Sequence, residues 1–278
     1  MAFAAWLEEA VARAAAGFSG HLAVFARDLR DGDTFELDAD HVGETASVIK
    51  VPILVALWEA VEAGRMGWHD MVRVNPANRT TGSGVIADLE DGVQLRICDL
   101  ATLMIVVSDN VATNELIDRV GQEAVNRAME RRGLRATRLH KKLFWDIPGP
   151  LGTTSPREIA SLMESIYRRR CVSPRADETM LAILDRQHYN SALTRLLPYP
   201  LIAEEGGRPP AVLVASKSGS LDGVRNDAGI VRTPWGDYVV ALMTDGALDP
   251  RYHPDNEAML LLPRISRAIL EAFREGGA

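Results

Sequence analysis

The stretch Ala46-Ser47-Val48-Ile49-Lys50-Val51-Pro52-Ile53 places a serine and a lysine three positions apart at the start of an apolar run. Side chains at positions i and i+3 lie on one face of a helix, so Ser47 and Lys50 can be neighbours. The apolar run continues through residues 51–58, and Gly64 predicts the end of the helix. Two interpretations fit this stretch alone: a helix cap followed by a surface lysine, or a nucleophile followed by its base.

The chain on either side of this helix has the pattern of strands. Short apolar segments bounded by turn residues predict five of them, at residues 21–27, 34–37, 211–216, 228–231 and 238–243. Between the second and third strands the chain is mostly helical in pattern. The exception is residues 141–154, which hold two prolines and two glycines and predict a loop. Amphipathic segments predict a further helix at each end of the chain.

These elements predict a mixed α/β fold of the α+β kind. We expect one five-stranded antiparallel sheet built from both ends of the chain, residues 1–46 and 205–278, with the terminal helices covering it. Residues 47–204 are expected to form an all-helical insert beside this sheet, the two parts making a single structural unit. We therefore expect the functional site in the crevice between sheet and insert.

The composition excludes several classes of function. The 278-residue chain has a formal net charge of −7 and no block of basic residues, which argues against a nucleic-acid partner. Its two cysteines, Cys98 and Cys171, have no CxxC spacing, and no set of residues has metal-ligand spacing. We therefore expect no metal and no cofactor, and a small molecule as the partner.

The N-terminal segment argues against export or membrane insertion. Its first 18 residues carry Glu8, Glu9 and Arg13, which do not fit the apolar region of a signal peptide. No apolar run approaches the ~18 residues of a membrane span. For the chain as given we expect a cytoplasmic monomer with no membrane partner. If a signal segment has been removed ahead of Met1, the expected location is the periplasm or the cell exterior.

Two further motifs lie at boundaries of predicted elements. Ser108-Asp109-Asn110 follows an apolar helix inside the insert, and Lys217-Ser218-Gly219 ends the first strand after it. Alone, the first is most often a helix-terminating turn and the second a hairpin corner. Together with the Ser47/Lys50 pair, in this order, they are the set found in class A β-lactamases and penicillin-binding proteins.

The sequence resembles the class A serine β-lactamase family from about Gly20 to Thr244. The resemblance lies in the segments ASVIKVPI at 46–53, LMIVVSDNVATNELID at 103–118 and SKSGSLDGVRNDAGIV at 216–231. It implies the predicted architecture, a helical insert beside a five-stranded sheet. It also implies a serine hydrolase that acts on the C–N bonds of cyclic amides.

The residue types of the three motifs fit acyl transfer. A serine at a helix N-terminus lies near the positive end of the helix dipole, and a poorly solvated lysine has a lowered pKa and can accept its proton. We therefore predict Ser47 as nucleophile and Lys50 as its base. Ser108 would relay a proton to the leaving group, and Asn110 would orient Lys50 and a substrate carbonyl. We expect Asp109 to face away and hold the turn.

The strand motif and its neighbours are predicted to bind the substrate. Lys217 would supply a positive charge for a substrate carboxylate, beside Ser218 and Gly219. The resemblance implies an oxyanion hole made by the backbone N–H groups of Ser47 and Ser220. Arg225 is predicted to lie roughly opposite Ser218, either helping to bind the same carboxylate or as a surface cross-strand arginine.

The region that should clear the acyl-enzyme departs from the family. Class A β-lactamases use a glutamate in a Glu-x-x-Leu-Asn pattern, whereas residues 140–152 contain no glutamate and no asparagine. Asp146 is the only carboxylate there, either a substitute base or an exposed loop acid. We predict a serine acyl-hydrolase that forms an acyl-enzyme on Ser47 and loses it slowly. The alternatives are a penicillin-binding-protein-like D,D-peptidase or esterase, and a non-catalytic binding module.

Overall fold

A computed structural model describes the backbone of residues 2–204 and 207–276, and the side chains of residues 7–204 and 207–274. Its strands form three antiparallel sheets, with five, three and two strands. In chain order the described strands are β1 (His21–Asp28), β2 (Thr34–Leu37), β3 (Gly43–Glu44), β4 (Met71–Arg73), β5 (Gln94–Arg96), β6 (Arg138–Leu139), β7 (Gly152–Thr154), β8 (Leu213–Leu221), β9 (Val224–Arg232) and β10 (Tyr238–Asp245).

The helices lie at both ends of the chain and throughout its middle. They are α1 (Ala2–Ala15), α2 (Lys50–Glu62), α3 (Ile97–Val106), α4 (Asn110–Val120), α5 (Gln122–Arg131), α6 (Pro156–Tyr167), α7 (Pro174–Leu184), α8 (Tyr199–Ile202) and α9 (Glu257–Gly276). No helix in the described parts of the chain is long and apolar enough to cross a membrane.

The main sheet has five antiparallel strands in the order β2-β1-β10-β9-β8. Its middle strands are buried along almost their whole length, and Phe25 and Tyr238 contribute large side chains to its two faces. On one face the sheet packs against α1 and α9; on the other it shares a continuous core with the helices of the insert. The strand β8 lies at an edge, so one side of its backbone is free to meet the insert.

Helix α2 passes through the centre of the insert. Its residues from Lys50 to Trp58 are all buried, as expected for a helix that is apolar on every side. Ser47 is not part of this helix and does not cap it, because residues Ala46–Ile49 form a separate 3-10 turn, and Ile49 directly precedes α2. The nucleophile candidate is therefore held in a tight turn that leads into a rigid helix.

The predicted fold class is confirmed, and the structure adds detail that the sequence patterns did not predict. The insert is not purely helical, since β4 pairs with β5, and β7 pairs with both β3 and β6. The β6–β7 pairing closes the segment predicted as a loop at its base. The Lys217-Ser218-Gly219 motif lies inside β8 instead of at its end. The proposed division at residues 204 and 205 borders residues outside the described part and stays a prediction.

Candidate active site

Ser47 is held in its turn by contacts from both parts of the molecule. The Thr45 N–H donates to Gly152 O at 2.9 Å, and Asn226 Nδ2 donates to Glu44 O at 2.8 Å. Ala46 has a φ of 46°, a left-handed conformation that costs energy for a residue with a Cβ. Ser47 is partly exposed while its neighbours in the turn are buried. The turn therefore presents the hydroxyl to solvent on a fixed backbone.

Lys50 is completely buried, and its ammonium group is saturated with acceptors. Nζ donates to Ser108 O at 2.7 Å, to Ser108 Oγ at 2.9 Å and to Asn110 Oδ1 at 2.9 Å. Burial holds the pKa of Lys50 well below its ordinary value, and the nearby positive charge of Lys217 lowers it further. Lys50 Nζ thus contacts Ser108 and Asn110, and among the described residues no hydrogen bond joins it to Ser47.

The turn that carries Ser108 and Asn110 is fixed by the residue between them. Asp109 Oδ2 accepts from the N–H groups of Val85 and Ile86 at 2.7 and 2.9 Å, and its Oδ1 accepts from Ala112 N at 2.8 Å. Asp109 thus caps α4 and faces away from Lys50, as expected. Ser108 has a φ of 52°, which directs both of its oxygen atoms at the lysine.

Lys217, which precedes Ser218 in β8, is also completely buried. Its Nζ donates to Ser218 O at 2.7 Å and to Gln187 Oε1 at 3.4 Å. Burial lowers the pKa of Lys217 to about 7, against the opposing effect of Asp227. Burial likewise raises the pKa of the Asp227 carboxyl to about 7. The charges of the buried Lys217 and Asp227 side chains are therefore sensitive to small changes in pH near neutrality.

The strand β8 lies against the Ser47 turn because Gly219 has no side chain. A Cβ at this position would lie 2.8 Å from Ser47 N and 2.8 Å from Thr45 O. The N–H of Ser218 donates to Gln187 Oε1 at 2.7 Å on the open side of the strand. Because strand N–H groups alternate in direction, Ser220, two positions on, directs its N–H to that same side. This geometry agrees with an oxyanion hole formed by Ser47 and Ser220.

Arg225 lies opposite Ser220, which corrects its predicted position opposite Ser218. Ser218 pairs with Asp227 instead, because the turn between β8 and β9 is tighter than expected and Leu221 pairs with Val224. The Arg225 guanidinium is buried and donates to backbone carbonyls at both ends, including Arg251 O at 2.7 Å. It still borders the cavity, so it is not a surface cross-strand arginine.

Two cavities meet at Ser47. The first has a volume of about 660 Å³ and is lined by hydroxyl groups and by two arginines, with no carboxylate among its described lining residues. The second, of about 530 Å³, is lined by apolar loop side chains and by polar groups that include two acids, Glu44 and Asp222. The first contains Ser47, Ser108, Ser218, Gly219, Ser220, Arg225 and Arg195 in its wall, and the second contains Ser47, Asn110, Leu143, Trp145, Leu151 and Glu44.

The loop beside the second cavity presents no acid to Ser47. Leu143, Trp145 and Leu151 are the loop residues in the cavity wall, and Leu143 is held by Asn114, whose Oδ1 accepts from Leu143 N at 2.8 Å. Asp146 is exposed and lies in the wall of neither cavity. The structure therefore does not bring Asp146 together with the other predicted site residues. Its role as a deacylating base stays a prediction without geometric support.

Sequence reasoning missed several residues that shape this site. Gln187 accepts from Ser218 and Lys217, and Glu44 is a carboxylate in the same wall as Ser47. Tyr252 borders both cavities and lies over Arg225, 4.7 Å from guanidinium carbon to ring centre. Gln187 and Tyr252 lie in loops whose local pattern carries no signal, and Glu44 lies in the short strand β3 just ahead of the Ser47 turn.

Comparison with known proteins agrees with the fold and identifies the family. The sequence model described as "Beta-lactamase enzyme family" matches residues 6–273. A β-lactamase of Rhodobacter capsulatus is 26% identical, over 97% of this chain and 89% of its own length. A solved β-lactamase from Sphaerobacter thermophilus DSM 20745 is 33% identical with a TM-score of 0.86, covering 98% of both chains.

A leucine-to-glutamate mutant of PBP-A, solved as an acyl-enzyme complex with penicillin-G, is 28% identical with a TM-score of 0.82. The match covers 98% of this chain and 97% of that one. Because the family match extends over nearly the whole chain, and the fold carries the expected motifs in one crevice, the chain belongs to the β-lactamase enzyme family.

Proposed function

We propose that this protein is a serine acyl-hydrolase that opens β-lactams, or related amides and esters, through an acyl-enzyme on Ser47. The observation that carries the proposal is Lys50: a buried amine with a lowered pKa, held by Ser108 and Asn110 behind the wall that presents the Ser47 hydroxyl. A lysine in that state loses its proton more readily than a solvated lysine and can act as a base.

Acylation uses groups that the fold already holds in place. Ser47 Oγ attacks the carbonyl carbon while its proton passes to the neutral amine of Lys50, directly or through Ser108. The carbonyl oxygen becomes an oxyanion that accepts from the N–H groups of Ser47 and Ser220. The C–N bond then breaks, and Ser108 Oγ hands a proton to the leaving nitrogen and recovers one from Lys50. The product is an ester on Ser47.

The first cavity fits a substrate with a carboxylate. Arg195 and Arg225 line it, Lys217 lies directly behind Ser218, and its described wall contains no acid. The hydroxyl of Ser218 can donate to a carboxylate at the same place. The second cavity fits an acyl side chain with an apolar part, because Leu143, Trp145 and Leu151 form one side of its wall.

Clearing the ester is expected to be slow. Hydrolysis needs a base that activates a water molecule on the carbonyl, and the loop places only apolar side chains beside Ser47. Glu44 is an acid in that wall, but its Oε1 accepts from Leu151 N at 3.2 Å and serves to hold the loop. We therefore expect acylation to be faster than release.

Intact-mass spectrometry after mixing with penicillin G tests the proposal. We expect one covalent adduct per chain that persists for minutes or longer and maps to Ser47 by peptide digestion. Ser47→Ala should form none, while Ser83→Ala, which also lines the cavity, should form it normally. A wild-type chain that shows neither adduct nor hydrolysis would favour a binding module and end the proposal. Rapid hydrolysis without an accumulating adduct would contradict the expected slow release, but not the acyl-enzyme on Ser47.

A D,D-peptidase or esterase is the second candidate, favoured by the apolar loop and by the similarity to PBP-A. It shares the acylation step and differs in its acceptor and natural substrate. Release of D-alanine from a peptide ending in D-Ala-D-Ala, lost in Ser47→Ala, would select this function over β-lactam hydrolysis.

A further inference from the structure

Three side chains far apart in sequence converge at the end of the main sheet, away from the cavities. His21 begins β1 and pairs with Asp245 at the end of β10, and His41 reaches them from the segment between β2 and β3. One nitrogen or oxygen atom from each of the three lies within 4.8 Å of the others. The two imidazole rings are 4.2 Å apart between centres and tilted by 53°.

The hydrogen bonds leave one ring nitrogen directed into this cluster without a partner. His21 Nε2 is 2.8 Å from Asp38 Oδ2, while His21 Nδ1 is buried and has no hydrogen-bond partner. Nδ1 instead faces Asp245 Oδ2 at 3.9 Å. The bond to Asp38 favours the tautomer with the proton on Nε2, which leaves a lone pair on Nδ1. A neutral imidazole whose other N–H binds a carboxylate is the usual form of a metal-ligating histidine.

The local charges also favour a cation. Asp245 and Asp38 form ion pairs only with these two histidines among the described residues, and no lysine or arginine of that part neutralises them. Gly43 leaves space beside the cluster, because a Cβ there would lie 3.3 Å from Asp245 Oδ2. Two imidazoles and two carboxylates therefore lie together in a partly exposed place without a lysine or arginine partner among the described residues.

We propose that His21 Nδ1, His41 Nε2 and Asp245 Oδ2 bind a divalent zinc ion, with water as the fourth ligand. Nitrogen and carboxylate ligands at about 2.0–2.1 Å suit Zn²⁺, which is tetrahedral in most such sites. Binding replaces the 2.7 Å hydrogen bond between His41 and Asp245, and the proton on His41 Nε2 moves to Nδ1 or to solvent. Asp38 orients His21 without touching the metal.

The site would join the ends of β1 and β10 to the segment that leads into the Ser47 turn. His41 lies two residues before β3, and Gly43 in that strand contacts Asp245. Zinc is therefore expected to stabilise this segment rather than take part in acyl transfer. Sequence spacing gave no sign of the site, because its ligands are 20 and 204 residues apart.

Titration calorimetry with zinc chloride on tag-free, chelator-treated protein tests the proposal. We expect one ion per chain, a rise in the thermal unfolding midpoint, and, with Co²⁺ in place of zinc, the strong visible bands of a tetrahedral site. Asp38→Asn should weaken binding about 10- to 100-fold without removing a ligand.

His41→Ala and His21→Ala should each abolish specific binding, whereas His253→Ala and Cys98→Ser should bind as the parent does. If the histidine variants retain the parent's affinity, or the parent binds no zinc at micromolar concentration, the site does not exist. Far-UV circular dichroism of each variant confirms that the fold is retained. Acylation by penicillin is not needed for any of these measurements, so they stand apart from the proposed function.

Discussion

The two buried lysines behind the cavity have different roles in the proposed mechanism, and burial lowers the pKa of both. Lys50 must lose its proton to act as a base, and burial together with the charge of Lys217 favours that loss. Lys217 must keep its proton to attract a carboxylate, yet burial lowers its pKa to about 7. Rising pH therefore favours acylation through Lys50 and weakens substrate binding through Lys217.

This conflict predicts a pH dependence that differs between substrates. Below about pH 7 Lys217 is protonated; above it the charge is lost, so KM for a carboxylate-bearing penicillin should rise up to about tenfold between pH 6 and pH 9. A bound carboxylate raises the lysine pKa and moves this change to higher pH. KM for a neutral ester should stay nearly constant. Parallel KM profiles for the two substrates would show that Lys217 does not bind the carboxylate.

Leu143 is the loop residue at which an acid could activate water beside Ser47. Its side chain is 2% exposed and lies in the cavity wall with Ser47 and Asn110. Leu143→Glu should therefore place a carboxylate of raised pKa beside the ester and speed deacylation at least tenfold, measured by the decay of the penicillin adduct. Asp146→Asn, on the same loop but exposed, should leave the decay unchanged. A slower decay in Asp146→Asn would restore that residue as the deacylating base.

The sequence could predict site residues only where they lie close together along the chain. The spacing of Ser47 and Lys50, and the two tripeptides, are visible without a structure because each sits within one turn or strand. The position of Arg225 was wrong by one cross-strand pair, because pairing depends on the tightness of a turn that the pattern does not specify. Gln187 could not be predicted, since long-range packing alone brings it to Ser218.

In the proposed mechanism, substrate recognition depends on the strand β8. It combines the edge N–H groups, the Lys217 charge and a close approach to the Ser47 turn, and only a glycine at position 219 permits that approach. A small change at Gly219 should therefore affect chemistry more than stability.

Gly219→Ala should reduce the rate of acylation about 100-fold or more. The new methyl group would overlap Ser47 N and Thr45 O, so the strand must move away and the Ser220 N–H loses its place in the oxyanion hole. Stopped-flow measurement with a chromogenic β-lactam gives the rate. Gly236→Ala, in the β9–β10 connection, controls for loss of a glycine and should lower the unfolding midpoint without slowing acylation. Equal rates in parent and Gly219→Ala would contradict the role given to β8.

At the element scale, long periodic segments were predictable and short ladders were not. Helices such as α4 and α6 have apolar stripes and capping residues, Asp109 and Ser155, so the helical character of the insert was predictable. The strands β6 and β7 contain two and three residues, too few for any period. Their pairing is decided by where β3 passes, a property of the folded chain rather than of the local sequence.

Across the whole molecule, the sheet and the insert share one core. Phe25, Ala228 and Ile230 of the sheet belong to the same apolar cluster as Leu54 and Met104 of the insert. A second cluster on the other face of the sheet joins it to α1 and α9. Neither part can bury its apolar surface without the other, and the crevice that holds the site is the outer margin of their contact.

Calorimetry should therefore give a single unfolding transition. Leu54→Ala in α2 and Leu262→Ala in α9 each remove a fully buried side chain and should lower the free energy of unfolding by about 2–5 kcal/mol. Because both parts unfold together, both variants should shift the same transition. Two separated transitions, one moved by each variant, would show that the predicted parts fold independently.

At position 46, where φ is left-handed, the residue that favours stability differs from the one expected to favour activity. Glycine there would relieve a clash worth about 1 kcal/mol but would loosen the backbone that aims Ser47. A directed-evolution screen for heat resistance should therefore favour glycine at position 46, and a screen for reaction with β-lactams should retain alanine. The residue found at position 46 therefore depends on whether thermal stability or reaction with β-lactams is selected more strongly.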